Sequence, residues 1–240
     1  MIILLIPSMM FARTLVLCYH AFSNGPVVNT SIRPEYFRNH IRELRREGFK
    51  ILTLKESIPI FKAGDKSDSL YAIITFDDGW ESVYKYGFPI IQEEEVPVTL
   101  FIFPRVISKR PGYLSWEQVR EMVASGLVEL GSHGLSHVPL DCSTFPRRLH
   151  CSWFLSTELQ FSKEIIGMNT GKAVFAIAFP YGVHNELTDE FVKKYDYILA
   201  FTVDNPIVSG YRGRFRIPRL VIGRKDKSIM DYIRRFKNKQ

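Results

Sequence analysis

The chain lacks several features that would each have settled its class. It has only three cysteines, Cys18, Cys142 and Cys151, and none sits in a CxxC spacing, so neither a zinc ribbon nor a disulfide scaffold is in view. The odd count reads as ordinary unpaired thiols, with a Cys142–Cys151 pair open only to an exported protein. No apolar run is long enough to cross a bilayer. Neither GxGxxG nor a P-loop follows any strand-like run, which removes the usual nucleotide-binding sheets. No repeat and no Gly/Ser- or Pro-rich linker divides the 240 residues, so one domain with one core is expected. Acidic residues are the scarcer charge, 25 against 32 Lys and Arg, for a net +7. That balance suits a polyanionic surface such as a cell envelope. The basic residues are scattered and carry no recognition-helix or finger pattern, so nucleic acid is not the expected partner.

Residues 1–12 are apolar apart from Ser8, and Arg13 follows the small Ala12. The segment reads as a candidate leader or signal over 1–13, with a buried first strand or a misplaced start codon as the alternatives, and export or a cell-envelope location is expected ahead of a cytoplasmic one. From residue 14 onward, short β-branched or aromatic runs alternate with amphipathic stretches: TLVLCYH, PEYFRNHIRELRREG, KILTL, YAIITF, SVYKYGFPIIQEEE and VTLFIF. Ser115 caps the helix SWEQVREMVASG and Gly126 stops it. VEL, AVFAIAF, YILAFTV and a last helix after Ser228 complete the series. Near-continuously apolar runs such as AIITF and TLFIF predict parallel strands covered on both faces, and the βα alternation predicts a closed or nearly closed α/β barrel. In such a barrel the residues after each strand converge on one face: His20, Asp77 and Asp78, His133, Pro180 and Tyr181, and Asp204.

What those residues could do follows from their type. His133 and His137 are four apart, which in a helical turn would put both imidazoles on one side within reach of one divalent ion, with Asp78 supplying oxygen. Three protein ligands leave room for water and substrate. Adjacent carboxylates diverge, so Asp77 can stay off the metal and accept a proton. Taken singly, Asp-Asp-Gly also reads as a turn and His-x3-His as surface or capping histidines. A strand, Asp-Asp-Gly and a downstream histidine pair together favour a site. His40 and His150 read as surface residues, His184 as a neighbour of the site, Trp80 and Trp116 as core or rim.

TFDDGW, SHGLSH and FAFPYG, in that order, resemble the first three motifs of the polysaccharide deacetylase family, carbohydrate esterase family 4 or NodB homology domain, across nearly the whole of 14–240. The resemblance implies a distorted (β/α)7 barrel and a divalent metal, zinc foremost, with cobalt, nickel or iron also fitting an Asp-His-His set. It implies Asp77 as general base, Asp78, His133 and His137 as metal ligands, and the Tyr181 N–H as an oxyanion donor worth about 3 kcal/mol.

This chain departs from the family pattern at three places. Gly134 replaces the hydroxyl residue after the first histidine, so a loop-bracing hydrogen bond is expected to be missing. Ala178 replaces the motif arginine, leaving Arg219, or else Arg216, to orient Asp77. No histidine follows residue 184, so the general acid passes to His20, whose strand would neighbour the last one in a closed barrel. These departures resemble the subgroup that de-N-acetylates poly-β-1,6-N-acetylglucosamine. The expectation is a monomeric, metal-dependent hydrolase of N-acetyl groups on a β-linked N-acetylglucosamine glycan, in peripheral contact with the envelope. An O-acetyl esterase and a non-catalytic glycan binder are the alternatives.

Overall fold

The computed structural model describes residues 13–25, 30–63, 69–142, 148–209 and 213–238. The expected leader therefore lies outside the described residues, apart from Arg13, which opens the first strand. In chain order the strands are β1 (Arg13–Tyr19), the small pair β2 (Ala21–Phe22) and β3 (Ser31–Ile32), β4 (Phe49–Ile51), β5 (Leu70–Phe76), β6 (Val98–Ile102), β7 (Val128–Ser132), β8 (Ala176–Ala178), β9 (Leu199–Phe201) and β10 (Leu220–Val221). The helices are α1 (Pro34–Arg46), α2 (Leu54–Ala63), α3 (Phe88–Glu93), α4 (Trp116–Ala124), α5 (Arg148–Ser156), α6 (Ser162–Thr170), α7 (Glu186–Lys194), the short α8 (Pro206–Ser209) and α9 (Met230–Asn238).

The main sheet is parallel throughout and runs β10-β1-β5-β6-β7-β8-β9, with β4 beside β5. It curls into the expected distorted (β/α)7 barrel. The distortion has visible causes. β4 takes the first half of β5's edge, Leu70 to Ala72, leaving only Thr75 and Phe76 to pair with β6. β7 and β8 meet at a single pair, Ser132 and Ile177. Closure comes from the segment before β10: Ile217 bridges Phe201 of β9, while Leu220 and Val221 pair with Leu17 and Cys18 of β1.

Strand side chains alternate between two apolar clusters, as a period of two requires. Val16, Ile73, Phe101, Ala176, Ala178, Leu199, Phe201 and Ile217 fill the barrel lumen, and Leu15, Leu17, Ile74, Phe76, Leu100 and Ile102 face the outer helices. Leu54 and Phe61 of α2, a helix with no clear sequence signal, join the lumen cluster, and Glu129 of β7 accepts N–H groups from its first turn. The helix thus plugs the mouth opposite the site. α4 begins at a full capping box, Ser115 and Gln118 each bonding the other's backbone.

Two expectations are corrected. His40 is buried, because α1 turns the face Phe37, His40, Ile41 and Leu44 onto the sheet and its Nδ1 bonds the Tyr19 hydroxyl at 3.0 Å. Cys142 and Cys151 are disulfide-bonded, with Cα atoms 5.5 Å apart, because α5 folds back beside the loop that follows the histidine motif. Cys18 is free and buried, and His150 is exposed as expected.

Two stability predictions follow from this packing. A Cβ at Gly131 would lie 2.2 Å from Phe101 Cε1, so Gly131→Ala must displace this buried lumen ring and should destabilise by about 1–3 kcal/mol in denaturant titrations. Cys151→Ser opens a short loop and should cost about 2–3 kcal/mol in the same measurement.

Candidate active site

Within the site His20 follows β1, Asp77 and Asp78 follow β5, His133 and His137 follow β7 and Tyr181 follows β8, while Arg219 directly precedes β10. Asp77 extends β5 by one residue, its N–H bonding Tyr19 O at 2.9 Å, and so it faces the lumen on the same side as Ile73 and Thr75. The chain then turns sharply: Asp78 has φ 74° and Gly79 φ 82°. A Cβ at Gly79 would meet Ile102 and Ile107 at 3.0 Å, so the turn requires glycine. The outcome is two adjacent carboxylates aimed at different partners.

Asp77 belongs to Arg219, which is fully buried. The guanidinium holds both carboxylate oxygens at 2.7 Å, donates to Thr75 Oγ1 at 3.1 Å and to Thr202 O at 3.0 Å, and lies over the Phe101 ring. Cys18 Sγ donates to Asp77 Oδ2 at 3.4 Å. Burial is the largest single influence on the Asp77 carboxyl and would raise it, but the charge and hydrogen bonds of Arg219, with His133 and His20, together outweigh it and hold the group below the usual carboxylate range. Burial pushes the Cys18 thiol well up and lowers the His20 imidazole, against the pull of Asp77 and Asp78. Arg216, the alternative partner for Asp77, instead bonds Asp189, which also takes His184 Nδ1 at 3.0 Å.

Asp78 faces the histidines. Its Oδ1 lies 3.5 Å from His133 Nε2 and 3.2 Å from His137 Nε2, and its Oδ2 accepts from Trp80 Nε1 at 2.9 Å. Trp80, stacked on Tyr113 at 4.4 Å, thus orients a carboxylate in addition to its expected rim role. His133 Nδ1 donates to Ala178 O at 2.8 Å, which leaves the Nε2 lone pair towards Asp78. The two imidazoles do not share a helical turn. Residues 133–137 form an irregular loop with Gly134 at φ 73° and His137 at φ 57°, and His137 is set by packing between Phe103 and Tyr181, at 5.0 and 4.7 Å.

Two groups among the described residues bring ligand-type atoms within 4.8 Å of one another: Cys18, His20 and Asp77, and Asp78, His133 and His137. The first already contains the Arg219 cation, so a metal ion there would meet a like charge. The second fits a metal. Asp78 Oδ1 is buried without a hydrogen-bond partner, although two imidazole nitrogens face it. A divalent ion accounts for such an orphaned oxygen, and these donors suit zinc-type coordination.

The remaining expected residues flank this centre. Tyr181 is exposed and sits at φ 58° in the turn Pro180–Gly182. That turn's hydrogen bonds are donated by Gly182 and Val183 and do not use the Tyr181 N–H. His20 lies at the Asp77 end with a buried Nδ1 that has no hydrogen-bond partner. Asp204 is exposed and accepts from Thr202 Oγ1, in keeping with a turn. The brace thought missing at Gly134 is present in another form. Glu158 accepts the N–H groups of Leu135 and Ser136 at 2.8 and 3.0 Å, and the Ser136 hydroxyl. Thr75, two residues before Asp77 on the same strand face, was legible from the period of a strand; Glu158 carried no local signal.

Known proteins share this architecture. A family profile described as polysaccharide deacetylase matches residues 64–200, more than half of the chain. The poly-β-1,6-N-acetyl-D-glucosamine N-deacetylase of Staphylococcus epidermidis is 28% identical over 201 residues, covering 82% of this chain and 69% of that protein. The protein of the same description from Staphylococcus aureus strain MRSA252 is 26% identical over 223 residues, covering 91% and 76%. Two solved structures share the fold. The Streptococcus pyogenes deacetylase PplD in complex with acetate has a TM-score of 0.79 at 20% identity, covering 93% of this chain and 97% of that one. IcaB from Ammonifex degensii has a TM-score of 0.75 at 24% identity, covering 89% and 93%. With the paired aspartates and the histidine loop set as described, the chain belongs to the polysaccharide deacetylase family.

Proposed function

We propose that this chain is a divalent-metal-dependent N-deacetylase of a β-linked N-acetylglucosamine polymer, releasing acetate and leaving a free amine. The observation that carries the reading is the division of labour between Asp77 and Asp78. One is clamped by Arg219, and the other turns an unpartnered oxygen to two imidazoles. The names of the staphylococcal relatives support the β-1,6-linked polymer as substrate.

A divalent ion held by Asp78, His133 and His137, zinc foremost, supplies Lewis acidity that lowers the pKa of water and polarises the acetyl carbonyl. Asp77 accepts the proton of the attacking water. Arg219 keeps that carboxylate ionised and fixed in plane, so the base is ready across the neutral range. The Tyr181 N–H donates to the oxyanion as the carbonyl becomes tetrahedral. His20 stands within 4.8 Å of Asp77, ligand atom to ligand atom, so the proton has a short path to the imidazole and from there to the departing amine. The amine must be protonated before it can leave, and this is the step an imidazole serves. The Cys142–Cys151 bond supports work in an oxidising compartment, at or beyond the cell envelope.

Three outcomes are expected. Chelation should abolish acetate release from defined β-1,6-linked N-acetylglucosamine oligomers and Zn2+ should restore it; release from O-acetylated xylan alone would sink the N-deacetylase reading. Asp77→Asn should retain zinc yet lose turnover about 10²–10⁴-fold, and its unfolding free energy should fall by about 3 kcal/mol because Arg219 is left buried and unpaired. A pure glycan binder would bind its ligand unchanged. His20→Gln should slow N-acetyl cleavage about 100-fold but barely affect an aryl acetate, whose phenolate leaves without a proton; equal losses on both would remove His20 from the acid role.

A further inference from the structure

The helical segment from α5 to α6 grips the histidine loop at three points. Cys151 is bonded to Cys142 beyond the loop. Ser162 Oγ meets Ser132 Oγ at 2.6 Å, and Ser132 Oγ accepts the Gly134 N–H at 3.1 Å. Between these, Glu158 binds Leu135 and Ser136. Glu158 lies in the π-helical turn Thr157–Phe161 that joins α5 to α6, and both it and Ser162 at the start of α6 face the loop.

The Glu158 grip is the unusual one. Its side chain is buried at 4% exposure, and among the described residues no Lys or Arg pairs with it. A buried carboxylate without a cation is costly unless strong donors satisfy it. Here two successive backbone N–H groups and a hydroxyl converge on it, an arrangement of charge-assisted bonds. The residue after Ser136 is His137. Gly134 completes the arrangement: a Cβ there would lie 3.1 Å from Glu158 Oε2 and 3.6 Å from Pro180 Cγ, at a φ of 73°. A side chain at position 134 and the Glu158 carboxylate compete for one space, so the missing hydroxyl and the buried acid belong together.

We propose that Glu158 is a positioning residue of the metal centre, holding Leu135 and Ser136 so that His137 Nε2 meets Asp78 Oδ1 opposite His133. The inference rests on reading Asp78, His133 and His137 as a divalent-metal site. Glu158 touches neither metal nor substrate in this role and acts through His137 alone.

The test is Zn2+ affinity of the metal-stripped protein, measured by competition with a chromophoric chelator. Glu158→Ala should weaken Zn2+ about tenfold or more, the range seen when supports of metal ligands are removed, and Glu158→Gln less, since it keeps one acceptor oxygen. Ser136→Ala removes only the hydroxyl donor, preserves the fold, and should weaken Zn2+ by a smaller step. In a His137→Ala background, Glu158→Gln should change affinity by about twofold or less, because coupled residues do not add. Equal losses in both backgrounds would mean a general structural role and overturn the proposal. Unchanged Zn2+ affinity in the Glu158 and Ser136 variants would overturn it while leaving the metal site standing. Wild-type protein that binds no Zn2+ would overturn both.

Discussion

The bidentate pair between Asp77 and Arg219 is the interaction on which the barrel and its site both depend. Asp77 follows β5, and Arg219 stands between the Ile217 bridge to β9 and β10, the strand that pairs with β1. The guanidinium also bonds Thr202 beyond β9 and Thr75 on β5, so one side chain ties together the strands on both sides of the closure. Both partners are essentially inaccessible. Separating them would strand a charge in a low-dielectric lumen, which costs far more than the pair gains over solvated ions. The sheet therefore closes around this pair, and the closure is what presents Asp77 to the mouth of the barrel.

From that fixed point the chemistry is organised by geometry at i and i+1. Because Asp77 continues the strand and Asp78 sits at positive φ, the two carboxylates diverge into environments of opposite character. Arg219 saturates one. The other meets two imidazoles and an indole N–H, with one oxygen left over. A cation belongs beside the second and not the first, for the plain electrostatic reason that a guanidinium already fills the neighbourhood of Asp77. The aromatic surround, Phe103, Tyr113, Trp80 and Tyr181, fixes ring orientations by packing where the irregular loop offers no regular hydrogen-bond ladder.

The departures from the family motifs are informative because each loss is matched elsewhere in the fold. In place of the motif arginine absent at Ala178, Arg219 clamps Asp77 from the segment just before β10. The hydroxyl absent at Gly134 is matched by Glu158, from a helix that follows the loop. In both cases the replacement is a charged group reaching the same space from a distant part of the chain, and such a group leaves no trace in the local motif.

Much of this was written in the residues themselves. Near-continuously apolar runs such as AIITF suggest strands buried on two faces, and Asp-Asp-Gly after one of them suits a barrel mouth, so the fold, the paired acids and the histidine pair were legible in pattern, spacing and family motif, and Arg219 only as one of two candidates for the missing motif arginine. The tertiary structure alone decided the rest. Whether His133 and His137 face one oxygen depended on a non-helical loop whose shape comes from Glu158, Phe103 and Tyr181. His40 went inside because α1 happens to set that face against Tyr19, and Cys142 found Cys151 because α5 returns beside the loop. Periodicity reports which face of an element is apolar; it is silent on which distant element will cover it, and these contacts all lie between elements far apart in the chain.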